Sequence, residues 1–338
     1  MTGAAFTRKD LVETAQAFKR TALLRAAVEL KVFDALAGGP RDAAAVAAAV
    51  GADPRGVRVL LGALAAVGLL GSDGTAFSLP EGGDRLLVSA SPDYAADSVR
   101  LLAGDAEWAA LADLAGAVRG GGTLLEHGAD SPAFAYWRDF AGQTTFVAEA
   151  AAKAFVEAVL DAGPGESPRV LDVGCGHALF GLRLAERIPG ARVWAQDGES
   201  VLELARERAA SMGLADRVTY LPGDAFDVPL GGPYDVVVAA NLLPLFPPER
   251  CVRLLRRLAE ATAPGGRVVT VGFTTGERPP AAEHAAHMLS LMLLAWTPGG
   301  EAHSVAAYRR MFGEAGFAGV EVRPVGEAPL HLVVAEKR

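Results

Sequence analysis

Only two cysteines, Cys175 and Cys251, occur in 338 residues. That count excludes a disulfide framework and reads as two reduced thiols in a cytoplasmic protein. Charged residues make up 21% of the chain, and the net charge is −8 with a pI near 5.4. An acidic balance of this kind argues against nucleic acid as a main partner. No apolar run reaches membrane-spanning length without charge or glycine, which excludes a membrane partner, and MTGAAFTRKDLVETAQAF lacks the apolar core of a signal peptide. Histidines number six, a short roster for any general base. What is abundant is apolar: 51% hydrophobic residues and a mean hydropathy of +0.24 promise an ample core. The length predicts one large or two ordinary domains.

Residues 1–90 form one expected unit. Helical spacing runs through Leu11, Ala15, Phe18, Leu23, Leu24, Ala27, Leu30, Phe33 and Leu36 and closes at Gly38-Gly39-Pro40. An alanine-rich helix follows, then a third that Asp53 caps with Pro54 at its first position. GSDGTAFSL reads as a turn and short strand, so the whole is a winged helix. Its third helix offers Arg55 and Arg58 and is then almost wholly apolar, unlike a DNA-reading helix. Apolar faces that a small domain cannot bury point to a protein partner. Residues 91–162 read as linking helices with an aromatic cluster: Phe134, Tyr136, Trp137 and Phe140.

From 163 to 338 strand and helix alternate. VLDVGCGHALFGLRL (170–184) is an apolar strand ending in Asp172, a turn through Gly174 and Gly176, and an apolar helix. Two glycines let the chain turn tightly and let a ligand lie against bare main chain. Dinucleotide loops share this shape, but a carboxylate two residues before the first glycine would face phosphate. Asp172 instead suits a ligand carrying an ammonium. VWAQD ends a second strand in Asp197, placed to hold a ribose diol. VTYLPGDAFDV brings Asp224 and Phe226 to a third tip, an edge and a face for adenine. Ammonium, ribose and adenine together make S-adenosylmethionine. Later strands at 234–241, 267–273, 319–325 and 330–337 complete an α/β doubly wound sheet with a terminal hairpin.

The 172–178 segment resembles class I methyltransferases, whose motif is D-x-G-x-G-x-G; Ala178 stands at the third glycine, small enough for close helix–strand packing. ERCVRLLRRLAEATAPGGRVV (249–269) and AYRRMFGEAGF (307–317) extend the likeness. Nearly the whole chain resembles small-molecule O-methyltransferases of the caffeate and hydroxyindole type. The resemblance implies a helical winged-helix dimerisation domain ahead of the catalytic sheet, a homodimer, and a small aromatic acceptor. Asn241, at the fourth tip, joins Asp172, Gly174, Gly176, Asp197, Asp224 and Phe226 as a cofactor-binding residue. Phe134, Tyr136, Trp137 and Phe140, with Met288, Leu291 and Met292 of the 283–296 helix, are the expected acceptor walls.

The departure from that family is as informative. Its histidine base, a few residues before the E-R-C helix, is replaced by Pro244, and its supporting glutamate by Val305 in His303-Ser304-Val305. A phenol needs help to lose its proton. His287, with Glu283 four residues earlier on one helix face, is the expected replacement base, while His177 and His331 read as structural and His127 is unassigned. No metal is expected. The sequence therefore leans to methylation at carbon or nitrogen; O-methylation with a relocated base is the alternative, and a further one is a non-methylating cyclase or hydroxylase that keeps S-adenosylmethionine bound.

Overall fold

The computed structural model of the chain describes residues 5–126, 128–132, 134, 136–143, 145–326 and 328–337; His127 lies outside them. Two compact units are present, the first reaching Trp108 and the second starting at Ala109.

The first unit holds α1 (Arg8–Gln16), α2 (Phe18–Glu29), α3 (Val32–Ala35), α4 (Ala43–Val50), α5 (Pro54–Ala66), the hairpin of β1 (Gly71–Ser72) and β2 (Phe77–Ser78), α6 (Gly83–Leu87) and α7 (Ser98–Leu102). The expected continuous helix over 10–36 is three helices, broken at Ala17 and at Lys31, whose φ is +56°. Asp53 caps α5 as expected, its carboxylate accepting from Gly56 N at 3.0 Å. The core of this unit gathers Val28, Phe33, Leu36, Val57, Leu61 and Leu64. In contrast, α1 buries no residue, and Leu11, Val12 and Phe18 are more than half exposed.

α8 (Asp105–Leu111) spans the join, and α9 (Leu114–Gly120), α10 (Tyr136–Gln143) and α11 (Thr145–Asp161) follow. The amphipathic stretch 93–118 is broken into short helices. One break comes at Asp113, whose carboxylate caps α9 by accepting from Gly116 N at 2.9 Å, the position where an aspartate is most useful to a helix.

The sheet comprises β3 (Arg169–Val173), β4 (Arg192–Asp197), β5 (Val218–Pro222), β6 (Tyr234–Ala240), β7 (Thr262–Gly272), β8 (Phe317–Val325) and β9 (Ala328–Lys337), in the order β5-β4-β3-β6-β7-β9-β8. The first five run parallel, and β9 is antiparallel to both its neighbours. This is the doubly wound sheet with a terminal hairpin that the alternating pattern predicts. One face packs on α11, α12 (Leu179–Arg187) and α13 (Glu199–Ser211), the other on α14 (Pro248–Ala261) and α16 (Val305–Glu314). In α14, Cys251, Leu254, Leu255 and Leu258 recur at helical spacing, and all four are fully buried; each leucine contributes about 1.5–3 kcal/mol by leaving water. α15 (His284–Trp296) follows β7. Among the described residues no helix is long and apolar enough to cross a membrane.

Candidate active site

Three alternate residues after β3 carry left-handed backbone: Gly174 (φ +59°), Gly176 (+56°) and Ala178 (+56°). A Cβ on Gly174 would lie 3.0 Å from the Leu242 side chain, and one on Gly176 would meet Ala141 at 3.4 Å. Close packing at Ala178 was the expected demand of the third motif position; the demand found there is conformational. Close helix–strand packing falls instead to Gly181, where a Cβ would run into Val193 at 2.7 Å.

Asp172 is 1% exposed. Its Oδ2 accepts from Gly181 N at 2.9 Å, while Oδ1 is buried with no partner among the described residues. Burial pushes its pKa up to about 8 against the pull of the Gly181 N–H, with Asp197 adding to the rise. An orphaned acid oxygen beside a glycine turn fits a cationic group. Asp197 accepts from Gly176 N (2.8 Å) and Gly198 N (2.7 Å), and burial, outweighing these two donors, raises it to about 6. Each of its oxygens keeps a second lone pair, enough for a vicinal diol. Asp224 folds its own turn, accepting from Phe226 N at 2.8 Å.

Gln196 escaped the sequence reading. It is 1% exposed; its amide donates to Gly223 O at 2.6 Å and accepts from Gly174 N at 3.4 Å, tying the third tip to the glycine loop. A glutamine inside the apolar strand VWAQD was the available signal. Phe226 departs from expectation. Its ring packs edge-on against Phe246 at 4.9 Å, under the guanidinium of Arg250, and is 4% exposed. Because Asp224 turns the chain inward, the phenyl joins the core and leaves little face for adenine. Asn241 ends β6 exposed, at φ +55°, its N–H donating to Val271 O at 2.7 Å.

On the acceptor side, Phe134, Tyr136, Trp137 and Phe140 do cluster, with ring centroids 5.7–6.1 Å apart. Trp296, from the end of α15, completes the cluster 4.5 Å from Tyr136. The Trp137 indole donates to Ala129 O (3.1 Å) and Ser131 O (3.2 Å). This segment lies over the strand tips: Pro132 O is 3.1 Å from where a Gly198 Cβ would stand, and Ala141 lies over Gly176. On α15, Leu291 and Met292 are half-buried and Met288 is 47% exposed.

Glu283 does not orient His287. Its carboxylate, almost fully buried, accepts from the N–H groups of Gly276, Glu277 and Arg278 at 2.8–3.0 Å. Burial raises its pKa, but the three donors more than offset that and hold it below its usual range. His287 Nε2 stands 3.9 Å from Glu283 Oε2, beyond hydrogen-bond reach, and its side chain is 40% exposed.

Comparison with known proteins settles the family. The O-methyltransferase domain model matches residues 139–318, and the O-methyltransferase dimerisation domain matches residues 12–89. This chain belongs to the O-methyltransferase family. It is 33% identical to acetylserotonin O-methyltransferase of Mus musculus molossinus, covering 97% of this chain and 88% of that protein. It is 30% identical to the mitomycin biosynthesis 6-O-methyltransferase of Streptomyces lavendulae, covering 92% and 89%. PigF of Serratia, solved with S-adenosylhomocysteine, superposes with a TM-score of 0.85 at 25% identity over 98% of this chain and 100% of that one. The enzyme is thus an S-adenosylmethionine-dependent methyltransferase of the natural-product type, with a class I sheet and an N-terminal dimerisation domain.

Within this O-methyltransferase, the turn where the sequence resemblance expects a histidine base is closed. Pro244 is buried in a 3-10 turn over Leu243–Leu245, and Val305 is 2% exposed at the start of α16. His303 sits beneath that turn, 1% exposed, with Nε2 3.0 Å from Phe246 O, 3.3 Å from Leu243 O and 3.4 Å from Cys251 Sγ. It anchors the turn and is sealed from any acceptor.

Proposed function

We propose that the enzyme transfers the methyl group of S-adenosylmethionine to a hydroxyl of a small aromatic natural product. The observation that carries this reading is the orphaned Oδ1 of Asp172 beside a glycine loop roofed by an aromatic cluster. Asp172 would meet the ammonium, Asp197 the ribose diol, and Asp224 and Asn241 the outer edge of the nucleoside, with Gly174 and Gly176 leaving room for the ligand. When bound, S-adenosylmethionine supplies an electrophilic methyl that needs only an in-line nucleophile, so positioning accounts for much of the rate. Phe134, Tyr136, Trp137 and Phe140, with Met288, Leu291 and Met292, would hold the flat acceptor. Mass spectrometry of products after incubation with phenols and S-adenosylmethionine tests this; absence of S-adenosylhomocysteine in every case would reject methyl transfer.

Pro244 favours a second reading, methylation at carbon or nitrogen, because proline has no side-chain group to take a proton. A methoxy signal in the product's NMR spectrum decides between the two. We also propose a homodimer through residues 10–36 and 55–70, where α1 buries nothing and Leu11, Val12, Phe18 and Val59 are more than half exposed. Light scattering that finds only monomer at micromolar concentration would reject that assembly.

A further inference from the structure

We infer that His331, oriented by Thr274, is the group that takes the proton from the acceptor hydroxyl, and that it does so through Nε2 from the strand next to β7. The inference rests on the hydroxyl-directed reading above.

The histidines separate by environment. His303 is sealed, with Nε2 engaged by two carbonyls. His287 is part-exposed and, among the described residues, has no hydrogen-bonded orienter, and His284 is exposed. His177 belongs to the glycine loop. His331 combines an orienter with accessibility: its Nδ1 is 2.9 Å from Thr274 Oγ1, the ring is half-buried, and among the described residues Nε2 has no partner and is not sealed. A base held at one ring nitrogen and open at the other is the arrangement that general-base catalysis needs.

Its place in the ladder is the second argument. His331 pairs directly with Gly272, the last residue of β7. Residues opposite one another in an antiparallel pair project to the same face with Cβ atoms about 5 Å apart. The Cβ that Gly272 lacks would lie 3.8 Å from Pro244 Cγ and 3.7 Å from Asn241 Oδ1. His331 therefore stands across one bare glycine from Pro244 and Asn241, on the same face of the sheet. Any larger residue at 272 would fill the gap between them.

Burial lowers the pKa of His331; Glu277 and Glu283 of the adjoining loop and cap oppose this, and Arg278 of that loop adds to it. The net lowering favours the neutral ring that a base requires. In the proposed step Nε2 takes the hydroxyl proton as the oxygen forms its bond to the methyl carbon. The S–CH3 bond breaks with its electron pair passing to sulfur, and the imidazolium gives its proton to water.

The test uses the full-length protein labelled with ¹⁵N-histidine. At pH 7.5 the His331 ring, assigned with His331→Gln and His331→Asn, should be the Nδ1–H tautomer with an unprotonated Nε2; an Nε2–H tautomer overturns the proposal without any acceptor being needed. Thr274→Val should shift that tautomer balance, and an unmoved spectrum removes Thr274 as the positioning residue. With a series of phenols, His331→Gln should lose about 10²–10⁴-fold in kcat on weakly acidic members. It should approach the wild-type rate on 4-nitrophenol, which is already ionised at pH 8. A purely structural role would depress all phenols alike, and that result, or full retention of rate, overturns the proposal. Failure of the wild type to form any methoxy product while still binding S-adenosylmethionine would instead reject the hydroxyl-directed reading.

Discussion

The carboxyl edge of the sheet is built in two halves on different terms. At β3, β4 and β5 the acids Asp172, Asp197 and Asp224 stand at or just beyond the strand ends, and backbone N–H groups fix each one. At β6, β7 and β9 the corresponding positions hold Asn241, Gly272 and His331, and the turn after β6 is closed around Pro244. The first half, in the proposed reading, holds the S-adenosylmethionine that the enzyme uses, and its residues stay close to the methyltransferase motif. The second half, in the same reading, faces the acceptor, and its side chains depart from the motif.

The largest effect expected on the first half is at Asp197. Its replacement by alanine removes a charge-assisted contact to ribose and leaves the Gly176 and Gly198 N–H groups without their acceptor. Cofactor affinity should fall by about 1.5–3 kcal/mol. Calorimetry on a folded variant showing unchanged affinity would remove Asp197 from the site. Acceptor selection among phenols should not change, which keeps the two halves distinct.

A pH experiment on Asp172 comes next. Burial pushes its folded pKa up to about 8, far above the ordinary aspartate value of about 4. Its stabilising contribution in the cofactor-free protein is therefore complete below about pH 4 and is lost as pH rises towards 8. A bound ammonium favours the carboxylate and reverses that penalty, so cofactor binding at pH 7 should release a proton, and affinity should climb by up to about tenfold per pH unit until near pH 8. Calorimetry in buffers of different ionisation enthalpy reads the proton directly, and Asp172→Asn should abolish it. Binding without proton release would mean that Asp172 only caps α12.

On the other half, Trp137→Ala should raise acceptor KM by about threefold to tenfold, the worth of one aromatic contact, with cofactor affinity held. An unchanged KM would put the acceptor elsewhere than under the Phe134–Trp296 cluster.

The same division governs what the sequence could reveal. The placement of Asp172 and Asp197 at strand ends and of Gly174 and Gly176 in the turn between them was legible, because an acid or glycine there ends an apolar run, and β6, β7, β8 and β9 followed from apolar runs. Periodicity could not show the breaks at Ala17 and Lys31, since no proline or glycine marks them. The burial of Phe226 was not legible, because a strand-tip aromatic can turn either way and the Asx turn of Asp224 decides it. Glu283 and His287 have ideal spacing, but the carboxylate finds three backbone donors first. Trp296 joins the aromatic cluster and His331 comes opposite Gly272 from sequence positions far from the motif, so only tertiary pairing could place them.

A smaller effect tests Ala178. Left-handed backbone costs an alanine about 1–2 kcal/mol, while removing its buried methyl costs about 0.8 kcal/mol. Ala178→Gly should therefore be neutral to about 1 kcal/mol stabilising in chemical denaturation. Clear destabilisation would mean that its Cβ matters to packing more than its backbone matters to strain.

The smallest effect is expected at His287, where the spacing had pointed to the base. The imidazole is part-exposed, and its nearest carboxylate oxygen, 3.9 Å away, belongs to a group already accepting three backbone N–H bonds. An unoriented ring has no fixed angle of approach to an acceptor hydroxyl and so contributes little as a base. His287→Ala should keep kcat within about threefold of wild type, against the 10²–10⁴-fold expected of a general base, with its pH profile unmoved. Steady-state kinetics on the same phenols used for His331→Gln makes the comparison direct. A hundredfold loss at His287, with His331→Gln silent, would return the base to α15 and show that acceptor binding reorganises Glu283 and its loop.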